Sequence, residues 1–221
     1  MIYKNIGVLT IGQSPRPDLV SPLIQQLPEN CKIIQSGALD GLTKASLPAI
    51  HDATYPLTTR MRDGSLVMIE EAFLATRLQQ VLDELEATGV TATILLCAGT
   101  FAELKGTRPL FKPFVVGRRV LNSLGLKRIG LIAPIKEQEA PIRQRWQAAG
   151  FQPTVWTANL VQQDNTFSQQ LHEQIEANQL QCIVLDYVGH PVSQVADLRK
   201  KIVIPLIDLG QLVIAALSGV L

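Results

Sequence analysis

Aromatic residues are scarce in this sequence, 5% of its 221 positions, and they are scattered rather than interleaved with basic ones. That excludes a stacking platform for single-stranded nucleic acid. Neither sign of charge is in excess: 20 basic and 19 acidic side chains leave a formal +1. No broad field therefore draws a phosphate backbone or an anionic membrane, so no nucleic acid and no membrane is expected as partner. Cysteine is sparse and odd in number, at Cys31, Cys97 and Cys182, with no CxxC pair and no histidine at metal-ligand spacing. This rules out a disulfide framework, implies no bound metal, and fits a reducing cytoplasm. Long apolar runs are also missing, the longest being about seven to ten residues against the roughly 20 a spanning helix needs.

What is present is a hydrophobic, weakly charged chain, 47% against 18%, the balance of a packed globule. Its apolar runs alternate in type. Ile6–Ile11 is continuous and β-branched, too short for a signal-peptide core, and reads as a first strand. Gly12-Gln13-Ser14-Pro15-Arg16-Pro17-Asp18 then forms a loop before a helix over Leu19–Leu27. Cys31–Gln35 reads as a second strand and Thr43–His51 as a short helix. Leu57–Arg60 and Leu66–Ile69 flank Asp63-Gly64, the turn dipeptide of an antiparallel hairpin. Apolar positions at Ala72, Phe73, Leu74, Leu78, Val81, Leu82 and Leu85 stripe a helix over Glu70–Ala87 that Gly89 closes.

Thr91–Cys97 is a buried strand ending in Ala98-Gly99-Thr100. The Gly-, Pro- and basic-rich stretch Leu104–Arg119 shifts composition and reads as a boundary. Beyond it, strands over Arg128–Ala133, Thr154–Thr157, Cys182–Leu185 and Val203–Leu206 alternate with helices over Glu137–Ala149, Asp164–Asn178, Pro191–Lys201 and Asp208–Leu217. Alternation of this kind demands crossovers, hence mainly parallel sheets covered on both faces. The expected domains are a first α/β half over 1–110 with the hairpin as insert, a second over 111–205, and a C-terminal helix in 206–221 that packs back on the first half. That apolar helix suits either a place within the monomer or a homodimer interface.

A weak internal echo supports two halves. Ile6-Gly7-Val8-Leu9 is echoed by Ile129-Gly130-Leu131-Ile132, and Ile94-Leu95-Leu96-Cys97-Ala98-Gly99 by Val184-Leu185-Asp186-Tyr187-Val188-Gly189. The echo sets Cys97 and Tyr187 at equivalent positions. Ligands of parallel sheets bind beyond the carboxyl ends of the strands, where small residues and N–H groups suit a carboxylate or phosphate.

Four strand ends therefore hold the candidates. Cys97, followed by Gly99 and Thr100, reads either as a nucleophile or base whose thiolate meets N–H donors, or as a small buried apolar residue. Gln13, Ser14 and Arg16 suit an anionic group through charge-assisted hydrogen bonds, though Ser14 also suits a cap and Arg16 solvent. Asp186, Tyr187, Gly189 and His190 cluster within five residues and offer acid, base or polar contacts, against a capping role for Asp186 and a surface place for His190. Arg60, Arg62 and Asp63 on the hairpin either fold over the pocket or sit in solvent.

The motifs Ile6-Gly7-Val8-Leu9-Thr10-Ile11-Gly12-Gln13-Ser14-Pro15-Arg16, Gly37-Ala38-Leu39-Asp40-Gly41-Leu42 and Leu95-Leu96-Cys97-Ala98-Gly99 resemble the AroM family, with Arg60-Met61-Arg62-Asp63-Gly64 and Asp186-Tyr187-Val188-Gly189 extending the likeness over nearly the whole chain. AroM proteins are similar to the wider aspartate/glutamate racemase superfamily. That resemblance implies an α/β fold of two similar halves with a ligand cleft between them and no cofactor. It also implies a cysteine from each half across the substrate, one removing the α-proton and the other returning it. Cys97 matches the first such position, and Thr100 lies near the superfamily's carboxylate-binding hydroxyl residue. Tyr187 stands at the second, and a phenol does not readily replace a thiolate as a reversible base. One-thiol relatives include decarboxylases that protonate from one side. Two readings follow: an isomerase, racemase-like enzyme or lyase acting on a small carboxylate through Cys97, or a noncatalytic protein that binds or senses such a carboxylate.

Overall fold

The computed structural model describes residues 3–50, 56–158, 160 and 165–221. The chain divides into two compact units, Met1–Pro113 together with Val213–Leu221, and Phe114–Leu212.

In the first unit β1 (Lys4–Thr10) lies between β2 (Cys31–Gly37) and β5 (Ala92–Leu95), parallel to both, and β6 (Leu110–Phe111) extends the sheet beyond β5. Helix α1 (Pro17–Ile24) makes the first crossover. It starts two residues earlier than expected because Pro17 stands in its first turn, where a fixed φ and a missing N–H cost nothing. The second crossover contains the hairpin of β3 (Pro56–Arg60) and β4 (Leu66–Glu70) and the helix α2 (Glu71–Ala87). Leu74, Leu78, Leu82 and Leu85 form the buried stripe of α2. The first three join Leu9 and Leu95 of the sheet and Leu57, Val67 and Ile69 of the hairpin in one core.

The second unit repeats this plan. Its central strand β7 (Arg128–Ala133) lies between β8 (Gln152–Thr157) and β9 (Cys182–Leu185), and β10 (Leu206–Asp208) adds beside β9, all parallel. Helices α3 (Pro113–Ser123), α4 (Glu139–Ala148), α5 (Asn165–Ala177), α6 (Val192–Lys201) and α7 (Leu209–Ser218) complete the chain. With the hairpin set aside, both sheets run second, first, third, fourth strand in chain order. Their central glycines match as well. Gly7 pairs with the second residue of β5, Thr93, and Gly130 with the second residue of β9, Ile183. A Cβ on Gly7 would lie 2.7 Å from Thr93 Oγ1 and 2.8 Å from Leu85 Cδ2; one on Gly130 would lie 2.6 Å from Ile183 Cδ1 and 2.8 Å from Leu180 Cδ1. Each glycine lets neighbouring side chains close over the strand.

The boundary stretch Leu104–Arg119 contains the division between the units, which falls after Pro113, and it also holds β6 and the start of α3. Two expectations need correction. The last strand covers Leu206–Asp208 instead of Val203–Leu206: Val203 is 87% exposed, and pairing with β9 keeps β10 in the second unit, so the division falls after Leu212 rather than at 205. Of the helix expected over Thr43–His51 only a 3-10 turn at Lys44–Ser46 forms, because Leu47 precedes Pro48 and is extended. His51 lies outside the described residues.

Gly37 ends β2 against the loop after β1. A Cβ there would run into Gly12 O and approach Ser14 N to 2.7 Å, whereas one on Gly41, at φ +77°, would meet nothing. Gly37→Ala is therefore expected to cost roughly 1–3 kcal/mol in urea unfolding, and Gly41→Ala only about 1 kcal/mol for its left-handed backbone. A Gly37→Ala loss no larger than that of Gly41→Ala would remove the close approach as the reason for this glycine.

Candidate functional site

Each unit places polar residues at the carboxyl ends of its strands. In the first, Asp40 organises the loops beyond β1 and β2. Its carboxylate accepts from Ser14 N at 2.8 Å, Ser14 Oγ at 2.6 Å and Gly37 N at 2.8 Å. Gln13 ties the hairpin to the same place: its amide donates to Leu39 O at 2.9 Å and Leu42 O at 2.8 Å, and its Oε1 accepts from Arg62 N at 2.6 Å. The Arg62 guanidinium donates to Ser14 O at 3.0 and 2.8 Å and stands 3.5 Å from Asp40 Oδ1. The hairpin is thus fastened onto the first loop rather than loose in solvent.

The first-loop residues expected from the sequence to meet a ligand all have partners within the protein. The Gln13 amide and the Ser14 hydroxyl are committed to the protein itself. Arg16 is committed too, donating to both oxygens of Asp18 at 2.9 and 2.7 Å, with its backbone N–H on Gln35 Oε1 at 2.8 Å. That guanidinium holds the Asp18 carboxyl below the usual carboxylate range.

Cys97 stands two residues beyond β5, packed with Leu9, Ile11, Met61, Phe101 and Leu104 but keeping 8% of its surface exposed. Gly99 N donates to its sulfur at 3.4 Å. The turn that follows is held firmly. Phe101 takes a left-handed φ of +35°, its N–H donates to Glu71 Oε1 at 3.0 Å, and Lys112 Nζ donates to Phe101 O at 3.1 Å and Leu104 O at 3.2 Å. A bulky residue held at positive φ is strain that the surroundings must impose. Gly99 is required here, because a Cβ would come 2.6 Å from the Phe101 ring, and Thr100 beside it is half-buried. The other thiols differ. Cys182 is fully buried at the start of β9, where burial pushes it up to about 12, and Cys31 opens β2.

In the second unit Asp186 follows β9 and is buried against Arg145 of α4, with Trp146 Nε1 3.4 Å from Oδ1. Arg145 also lies over the Phe114 ring, 4.6 Å from its centroid, and Trp146 meets Phe114 and Phe151 edge-on. Burial raises the Asp186 carboxyl to about 6, while Arg145 and the two hydrogen bonds oppose that rise. Asp186 is therefore the partner of an internal ion pair with Arg145. Tyr187, two residues beyond β9 as Cys97 is beyond β5, is half-buried, and its ring packs on that of His190 with centroids 3.7 Å apart. His190 is buried, not a surface residue, and its Nδ1 stands 2.8 Å from Asp208 Oδ2 at the end of β10. Gly189 turns the chain between them at φ +118° and is exposed. The sequence reading missed the roles of Asp40, Glu71, Lys112, Arg145 and Asp208. Asp40, lying between Gly37 and Gly41, offered a turn signal; Arg145 offered none.

Two four-stranded parallel sheets with matching strand order, each carrying its candidate residue two positions past the third strand, define an aspartate/glutamate racemase-like α/β fold. The solved structures it is similar to agree. Arylmalonate decarboxylase matches with a TM-score of 0.64 at 14% identity over 97% of this chain and 92% of that one. The aspartate racemase of Picrophilus torridus matches at 0.58 with 12% identity over 98% and 94%. A variant of the Nocardia farcinica maleate cis-trans isomerase, carrying a covalently bound succinylcysteine intermediate, matches at 0.59 with 11% identity over 98% and 92%. No curated protein matches the chain. The AroM protein family matches residues 6–221, and the chain belongs to that family. Among the described residues no helix is long and apolar enough to cross a membrane.

The Arg145–Asp186 pair sets a pH-dependent stability. A carboxyl raised by folding contributes stability that is full below its unfolded value near 3.8 and is lost as pH rises through about 6. Arg145→Met removes the partner that lets Asp186 ionise, so the variant goes on losing stability above that point while the native chain does not. At pH 7.5 the substitution should cost about 3–5 kcal/mol, and at pH 5 distinctly less. Urea unfolding at both values checks this, and an equal loss at both would show that packing over Phe114, not charge, is what Arg145 supplies.

Proposed function

We propose that this protein is a cofactor-independent isomerase, racemase-like enzyme or decarboxylase-type lyase that acts on a small carboxylate through Cys97, in the cytoplasm. The observation that carries the reading is Cys97 itself, two residues past the third strand, with the Gly99 N–H on its sulfur and a strained, well-held turn beside it. Three proteins of similar fold are named for reactions on arylmalonate, aspartate and maleate, and one of them holds a succinylcysteine intermediate. Those substrates share a small carboxylate, and that intermediate shares a cysteine.

The chemistry asks for one thiol at the reacting carbon. As thiolate it takes an α-proton or adds to a double bond; as thiol it gives a proton to the carbanion left when carbon dioxide departs. Thr100, half-buried beside Gly99, supplies a hydroxyl donor to the substrate carboxylate.

The test is deuterium wash-in at the α-carbon of aspartate and of arylmalonate products, with maleate isomerisation and carbon dioxide release followed in parallel. Cys97→Ser is expected to lower the active reaction by at least about 100-fold. A rate in Cys97→Ser equal to that of the native chain, or no reaction with any of these acids, sinks the proposal.

A further inference from the structure

The turn after Cys97 is held by two charged side chains to which the thiol chemistry itself gives no part. Glu71 opens α2, and its Oε1 accepts from Phe101 N at 3.0 Å. Lys112 directly follows β6, and its Nζ donates to Phe101 O at 3.1 Å and to Leu104 O at 3.2 Å. Both main-chain groups of one residue are thus tied, from the helix before β5 and from the strand after it, all within the first unit. Phe101 sits at φ +35°, a conformation that a bulky side chain leaves unless its surroundings impose it. Its ring is buried against Gly99, where an added Cβ would come 2.6 Å from Cε2 and 3.2 Å from Cδ2. Gly99 N in turn donates to the Cys97 sulfur at 3.4 Å. A line of contacts therefore runs from Glu71 and Lys112, through the backbone and ring of Phe101, to an N–H aimed at the thiol.

We propose that Glu71 and Lys112 are positioning residues for Cys97: by fixing Phe101 at positive φ they press its ring onto Gly99 and keep the Gly99 N–H on the sulfur. That Cys97 is the reacting group rests on the reading above. An N–H aimed at sulfur favours thiolate over thiol, so the two ties make Cys97 a readier base or nucleophile. Without Glu71 the Phe101 N–H loses its acceptor, the residue relaxes toward negative φ, and the ring leaves Gly99. Charge acting alone would have the opposite sign, since a nearby carboxylate disfavours a thiolate and its removal would ease ionisation.

The full-length chain tests this without any substrate. The rate at which iodoacetamide alkylates Cys97 is followed against pH, with peptide mass spectrometry separating Cys97 from Cys31 and Cys182. Glu71→Ala is expected to raise the midpoint of that profile by roughly 0.5–1 pH unit. Glu71→Gln keeps an oxygen acceptor for the Phe101 N–H and leaves the midpoint at or below the native value. Lys112→Met, which releases the carbonyl side of the turn, raises it as Glu71→Ala does. Loosening of the turn alone would raise the rate at every pH and leave the midpoint where it is. A midpoint unchanged or lowered in Glu71→Ala, or raised as much in Glu71→Gln, overturns the positioning role. If Glu71→Ala does not fold, an unchanged midpoint in Lys112→Met overturns it instead. Midpoints that move as expected while none of the acids above reacts sink the carboxylate reading alone. Midpoints that stay while the Cys97-dependent reaction persists sink this inference alone.

Discussion

Everything polar in this protein is placed by one constraint, the parallel pairing of a central strand with two neighbours in each unit. Parallel neighbours cannot be joined by a tight turn, so every return crosses a face of the sheet and begins at the carboxyl edge. Apolar side chains can then fill both faces, while backbone groups released at the strand ends gather along one edge. The glycines at Gly7 and Gly130 belong to the same constraint, because they let the chain before the third strand pack down on the first.

At that edge each unit recruits a carboxylate, and the two solve the problem differently. Asp40 is half-buried and satisfies three donors from two loops, so the first unit's edge becomes a braced frame to which Gln13 and Arg62 add the hairpin. Asp186 and Asp208 are buried deeper. One is neutralised by Arg145, and the other caps a helix and faces a histidine. Ionic groups in such places cost desolvation free energy that hydrophobic residues would not. Each is offset locally, Asp186 by the Arg145 guanidinium and Asp208 by the first turn of α7.

The sequence was informative where apolar periodicity and chain topology carry the information. The alternation of β-branched runs with striped helices was enough for parallel sheets, Asp63-Gly64 for the hairpin, and the Leu95-Leu96-Cys97 and Leu185-Asp186-Tyr187 echo for two matching units. It was weaker on side-chain partners, since these depend on distances that no local pattern records. Arg16 and Gln13 have the chemistry of anion ligands, yet Asp18 lies two residues away and three backbone groups lie within reach of the amide. Arg145 and Asp186 are 41 residues apart in the chain and meet only through folding. The short strand β6 was missed for another reason: two residues show no period, and its pairing with β5 is set by the neighbour alone.

The difference between Cys97 and Tyr187 also limits which reaction suits the proposed site. Racemisation in both directions needs a base on each side of the substrate, each able to ionise near neutral pH. A phenol held protonated by burial and a nearby carboxylate fails that requirement, however well it is positioned. One-sided chemistry through the proposed Cys97 thiol, protonation after loss of carbon dioxide or thiol addition to a double bond followed by its reversal, needs no second base. On the proposed reading, a phenol at the position equivalent to Cys97 therefore favours the lyase and cis-trans isomerase side of the chemistry over racemisation.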